Sequence, residues 1–233
     1  MDQVKFTTAD LQLSSYDYEL PPELIAARPM EKRDESRLMA CDLQSGVVTH
    51  TTFQKIVDLL PPNSTLVLNQ SRVFPCRLVG QKPTGGEVEA FVLSLIPRND
   101  CYQVLLKASG KRKVGESFQF GSFTLTLTEL GEEGTFWVKT NLEHAQFLNL
   151  LEQQGGIPIP PYIRDGRSDE RDKRDYQTVF AKESGSVAAP TAGLHFTPEL
   201  LKEIQARGHK IAFVTLHVGL GTFKPVKAAT ITD

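Results

Sequence analysis

Six short runs dense in β-branched and aromatic residues follow one another between residues 77 and 140, and no connection between them can hold a crossover helix. The runs cover 77–80, 87–96, 102–106, 117–120, 123–127 and 135–140, separated by KPTGG, PRND, ASGKRKVG, a single Gly121 and ELGEEG. Parallel neighbours need a dozen or more residues of crossover, so these strands must pair antiparallel. A series of hairpins removes its exposed edges by closing on itself, which predicts a small antiparallel β-barrel. On both sides of it, apolar strands alternate with helix signals, the pattern of an α/β layer. The chain therefore reads as an α/β main domain in two parts, 1–73 and 143–233, with an inserted antiparallel β-barrel domain at 74–142.

The flanking segments carry local signals. Gln44-Ser45-Gly46 between 38–41 and 47–50 reads as a hairpin. Thr51 with Gln54 forms a capping-box pattern ahead of Phe53, Ile56, Val57 and Leu60, predicting a helix that Pro61-Pro62 stops. Residues 64–73 read as one buried strand, 143–154 as a helix stopped by Gly155, and 210–217 as a central strand. Thr197-Pro198-Glu199 opens another helix with an N-cap, an N1 proline and an early acid. The stretch 164–175 alternates in sign and is either a solvated loop or a substrate-covering one.

Lys and Arg number 26 against 28 Asp and Glu, a net of −2, which excludes a histone-like binder held by overall charge. The distribution is uneven: from 71 to 115 eight cations face three acids, a net of +5 that leaves −7 for the rest. A basic patch on an acidic body suits phosphate-backbone binding, with Arg77, Lys82, Lys107, Lys111, Arg112 and Lys113 as candidate RNA contacts; the alternative is a solvated barrel face. Cys41, Cys76 and Cys101 are far apart and odd in number, so a reducing, cytoplasmic compartment is expected and a disulfide framework is not. No leader or membrane span is expected, because the longest apolar runs are far too short to cross a bilayer.

Two segments concentrate candidate chemistry, AAPTAGLHFT at 188–197 and TLHVGLGTF at 215–223. Each sets a histidine, His195 or His217, beside small residues that leave backbone amides accessible. A hydrogen-bonded structural role is the alternative for both. No histidine has a partner at ligand spacing, so zinc is poorly supported. Gly219 and Gly221 invite a dinucleotide-binding reading that Lys224, in place of the third glycine, rules out; KPTGG lacks P-loop spacing, and no G-x-S-x-G elbow occurs.

YDYELPPELIA-x-RP, SRL after EKRDE, LVLNQSRVFPCRLVG, KPTGG, YQTVFA, GSVAAPTAGLHFT and FVTLHVGLGTFKPV together resemble the S-adenosylmethionine:tRNA ribosyltransferase-isomerases of queuosine biosynthesis. The resemblance implies transfer and isomerisation of the ribosyl unit of S-adenosylmethionine onto 7-aminomethyl-7-deazaguanine in tRNA, giving epoxyqueuosine, adenine and methionine. It implies S-adenosylmethionine as co-substrate, tRNA as partner and no metal, since the sulfonium already activates the donor; a monomer without membrane association is expected. It also implies further main-domain sequence after HVGLGTFKPV, so the chain is expected to be C-terminally truncated, and the alternative to a transferase is an inactive truncated tRNA-binding module.

That chemistry needs a group titrating near neutrality, for which His195 and His217 are the candidates. Arg28, Arg33, Arg37 and Arg72 are candidates for the methionine carboxylate, with Thr191, Ala192 and Gly193 offering backbone N–H groups. Gly219 and Gly221 join the same binding set, and Asn69 could read a base edge. Tyr16, Tyr18, Tyr176, Phe196 and Phe223 are candidate walls for the flat bases.

Overall fold

The computed structural model describes residues 7–223, 226 and 228–232. An N-terminal arm of 3-10 turns leads into a hairpin, β1 (Arg37–Cys41) and β2 (Val48–Thr52), whose register runs from Arg37 opposite Thr52 to Cys41 opposite Val48. The Asp42 carboxylate closes the turn by accepting the amides of Gln44 at 2.8 Å and Ser45 at 3.1 Å. The capped helix expected from Thr51 is not formed. β2 takes Thr51 and Thr52 into its ladder, so the chain makes a 3-10 turn and then one helical turn, α1 (Ile56–Leu59).

The chain continues through β3 (Thr65–Asn69), β4 (Ser71–Val73), β5 (Arg77–Gln81), β6 (Glu87–Val92), β7 (Cys101–Lys107), β8 (Ser117–Phe120), β9 (Phe123–Leu130) and β10 (Thr135–Thr140). There follow α2 (His144–Gln154), the single turn α3 (Asp172–Asp175), β11 (Glu183–Ser186), α4 (Pro198–Ala206) and β12 (Lys210–Val214).

β5 to β10 form a closed antiparallel barrel in the order β10-β7-β6-β5-β8-β9. Alternation puts Val88, Ala90 and Val92 of β6 and Phe123, Leu125 and Leu127 of β9 inside, all essentially inaccessible. α2 lays Phe147 and Leu151 into the same core, starting from a capping box between Glu143 and Gln146. Gly155 does end this helix, but not through a left-handed turn: its φ is −68°. A Cβ there would lie 2.2 Å from the Pro75 carbonyl oxygen, so glycine permits the close approach that pairs Gly156 with Arg77 of β5.

The α/β body is built on parallel pairs. β3 pairs with β12 and β4 with β11. The single strand expected at 64–73 changes partners at Gln70, whose amide donates to Val214 (2.9 Å) while its carbonyl accepts from Lys182 (2.8 Å). Leu200 and Ile204 of α4 pack with Phe53, Val57, Leu68 and Phe196 in the core of this body. Among the described residues β12 pairs with β3 alone, so it is not the central strand expected: Phe213 is 48% exposed.

Candidate functional site

His195 ends a 3-10 turn, Thr191–His195, immediately before α4. Its ring rests on Phe53, centroids 5.1 Å apart, and Phe53 in turn meets Phe196 edge-on at 5.0 Å. The imidazole Nδ1 lies 3.1 Å from Ser36 Oγ. That hydroxyl has one proton, which it donates to the Arg33 carbonyl at 2.8 Å. A carbonyl can only accept, so Ser36 Oγ must be the acceptor toward histidine, and Nδ1 carries the hydrogen. In the neutral ring Nε2 then holds the free lone pair. Thr191 and Ala192 are exposed on the same turn, whereas Gly193 is buried and spends its amide on Pro190 at 2.8 Å.

His217 lies just beyond β12, exposed, against Gly185 of β11. Its segment is tied down on two sides. Asn69 accepts the Leu216 amide at 3.0 Å and donates to its carbonyl at 2.9 Å, so the Asn69 amide is spent on backbone here. On the other side Val187 donates to the Val218 carbonyl at 2.9 Å, and Val218 donates to Ser186 Oγ at 2.9 Å. Segment 185–195 thus carries the seat of His217 at one end and His195 at the other. Gly219 and Gly221 follow in exposed backbone; Tyr16 and Tyr18 are exposed on the arm, Tyr176 and Phe196 are buried in cores, and the Phe223 side chain lies outside the described residues.

The arginines mostly hold the molecule together. Arg28 pairs with Asp169 and, at 3.2 Å, with Asp172, and Arg164 donates to the same two acids. Arg33 donates to the carbonyls of Gln177 and Arg174, while Gln177 hydrogen-bonds the backbone of Val73 on β4. Segment 164–175 is anchored as well as solvated: Asp172 and Asp175 are buried and the arm is locked onto it, while Asp165, Arg167, Asp169, Glu170, Arg171 and Arg174 are exposed. Arg72 is bidentate to Glu152 of α2 at 2.9 and 3.3 Å. Arg37 is exposed at the start of β1 with its guanidinium unpaired among the described residues.

This lock is acid-labile by a definite sign. The Arg28 hydrogen bond lowers the Asp169 carboxyl from 3.8 to about 2. Its contribution is therefore present above pH 4 and is lost as pH falls through about 2. Hydrogen exchange, corrected for intrinsic rates, is expected to show arm amides protected at pH 5 and open as the pH approaches 2, with Asp169→Asn open already at pH 5. Equal protection in both proteins across the range would show that other contacts hold the arm.

The barrel's cations are equally uneven. Residues 74–142 hold eight cations and seven acids, a net of +1, because Glu116, Glu129, Glu132 and Glu133 fall outside the +5 window. Arg77 pairs with Glu89 at 2.7 Å and donates to the Gly166 carbonyl, both acting as interior bracing. Arg112 is buried in its own loop, and Lys82 bonds Ser109. Lys107, Lys111 and Lys113 are exposed.

Ser36, Gln177, Asp169 and Gly185 are site or support residues that spacing alone did not single out, although Ser36, Gln177 and Gly185 lie inside the quoted SRL, YQTVFA and GSVAAPTAGLHFT blocks. Among the described residues no three His, Cys, Asp or Glu side chains converge as metal ligands. The chain is similar to a solved S-adenosylmethionine tRNA ribosyltransferase from Thermotoga maritima, with 30% identity and a TM-score of 0.35, over 87% of this chain and 58% of that one. It thus spans less than two thirds of that protein's length. The sequence profile described as queuosine biosynthesis protein matches residues 13–233, a span that includes the arm lock, the barrel and both histidine segments, and by that match the chain belongs to the queuosine biosynthesis protein family.

Proposed function

We propose that the chain carries the ribosyl-transfer site for S-adenosylmethionine and 7-aminomethyl-7-deazaguanine in tRNA, as the name of the Thermotoga maritima relative suggests in part. The observation that carries the reading is the fixed tautomer of His195, a base with Nε2 free beside an exposed turn. In this reading Nε2 of His195 takes the proton from the aminomethyl nitrogen as that nitrogen attacks the ribose. His217 serves the second proton transfer, from the carbon beside the sulfonium or to the departing adenine. Adenine and methionine leave, and the rearranged ribosyl unit stays on the base.

Ser36 is a positioning residue, holding the imidazole through Nδ1. Thr191, Ala192, Gly219 and Gly221 offer backbone to the co-substrate, and of the four candidate arginines Arg37 is the one with no acid or carbonyl partner among the described residues. Arg28, Arg33 and Arg72 support the body instead.

Purified protein incubated with S-adenosylmethionine and tRNA carrying the aminomethyl base is expected to release one adenine per base modified, and none with tRNA lacking it. Binding of tRNA with no adenine release would assign an RNA-binding module in place of the transferase.

A further inference from the structure

The loop between β7 and β8 uses its charges in an ordered way. Arg112, with a side chain 6% exposed, turns back under the loop and donates to the carbonyls of Ala108 (3.3 Å), Ser109 and Gly110 (2.8 Å). Its other amino group meets Glu116 at 3.3 Å, and its guanidinium lies 5.7 Å from the Phe118 ring centre. From the β5–β6 hairpin, Lys82 binds Ser109 through both the carbonyl and, at 3.2 Å, the hydroxyl.

Two cations and the loop's one acid are thus spent inside the fold. The remaining cations, Lys107, Lys111 and Lys113, are all exposed and have no ion-pair partner among the described residues. Elsewhere on the barrel the cations are paired: Arg77 with Glu89, Arg98 with Glu129 and Lys139 with Asp100. The barrel's unpaired positive charge is therefore gathered on one loop, whose backbone is already braced, and on Lys107, the last residue of the strand that leads into it. Bracing lowers the ordering cost of binding, and three strongly hydrated point charges suit phosphates along a flexible strand.

We propose that this loop is an RNA-gripping finger of the barrel, with Lys107, Lys111 and Lys113 contacting the phosphodiester backbone and Arg112 positioning them. The proposal rests on tRNA being the substrate and adds where it is held. Displacing counterions at phosphates makes affinity fall with salt by about 0.7–0.9 log units per log unit of salt for each contact.

The test measures binding to a tRNA transcript over a range of salt for the wild type and for Lys107→Ala/Lys111→Ala/Lys113→Ala. The wild type is expected to bind, and the triple variant to lose about 2.1–2.7 from the salt slope. A charge-matched control, Lys55→Ala/Lys202→Ala/Lys210→Ala, is expected to keep the wild-type slope; all three of its lysines are exposed on the α/β body. Wild-type slope and affinity in the loop variant, or an equal loss in the control, would overturn the finger while leaving the substrate reading standing. Failure of the wild type to bind tRNA at low salt would overturn both.

Discussion

Replacing His195 by alanine is expected to lower adenine release by about 10²-fold or more, the usual range for losing a positioned acid or base. The half-buried ring also packs on Phe53, so part of an alanine effect could come from the gap it leaves. His195→Asn separates the two contributions. Its side-chain amide can donate to Ser36 as Nδ1 does, yet it has no titratable nitrogen in place of Nε2. If His195 moves a proton, asparagine is as slow as alanine. If the residue only supports the turn, asparagine restores the rate and alanine shows its defect as a lowered melting temperature. Ser36→Ala should fall between, because it removes the hydrogen-bond partner that selects the tautomer but leaves the imidazole in place.

The barrel was legible because its information is local. Turn residues and alternation place β8 at Ser117–Phe120 and β10 at Thr135–Thr140 with the bounds that the spacing predicts, and the two-residue turn Gly121-Ser122 suffices to reverse the chain between β8 and β9. The α/β body was less so, because there partners decide the outcome. Nothing in LVLNQSRV announces that Gln70 gives its amide to Val214 and its carbonyl to Lys182. The arginines show the same division. Arg28 and Arg33 stand in distinctive blocks, but their partners, Asp169, Asp172, Arg174 and Gln177, are more than 140 residues away, and no local spacing encodes such pairs. The charge window failed for a related reason: a +5 count over 71–115 stops just before Glu116, the acid that Arg112 meets. His195 and His217 were visible as residues, whereas the hydroxyl that orients one and the glycine that seats the other emerge from contacts across 159 and 32 positions.

That seat gives the second large effect. Gly185 has φ +148°, a region nearly closed to residues with a Cβ, and a Cβ built there would lie 2.8 Å from Cε1, 2.9 Å from Nδ1 and 3.0 Å from Nε2 of His217. Gly185→Ala must therefore strain the backbone of β11 and push the imidazole aside. The strain should cost about 1–3 kcal/mol in unfolding experiments. The displaced ring should lower turnover toward the loss of about 10²-fold expected for His217→Ala. Because His217 is exposed, its ring can swing into solvent, so the catalytic loss should exceed what the stability loss explains. A double-mutant cycle decides whether the two residues act as one. With the imidazole gone, Gly185→Ala has no ring to displace, so Gly185→Ala/His217→Ala should turn over no more slowly than His217→Ala alone. Independent, multiplying losses would instead show that Gly185 matters through the backbone of β11, and would leave His217 without a role in proton transfer that depends on its seat.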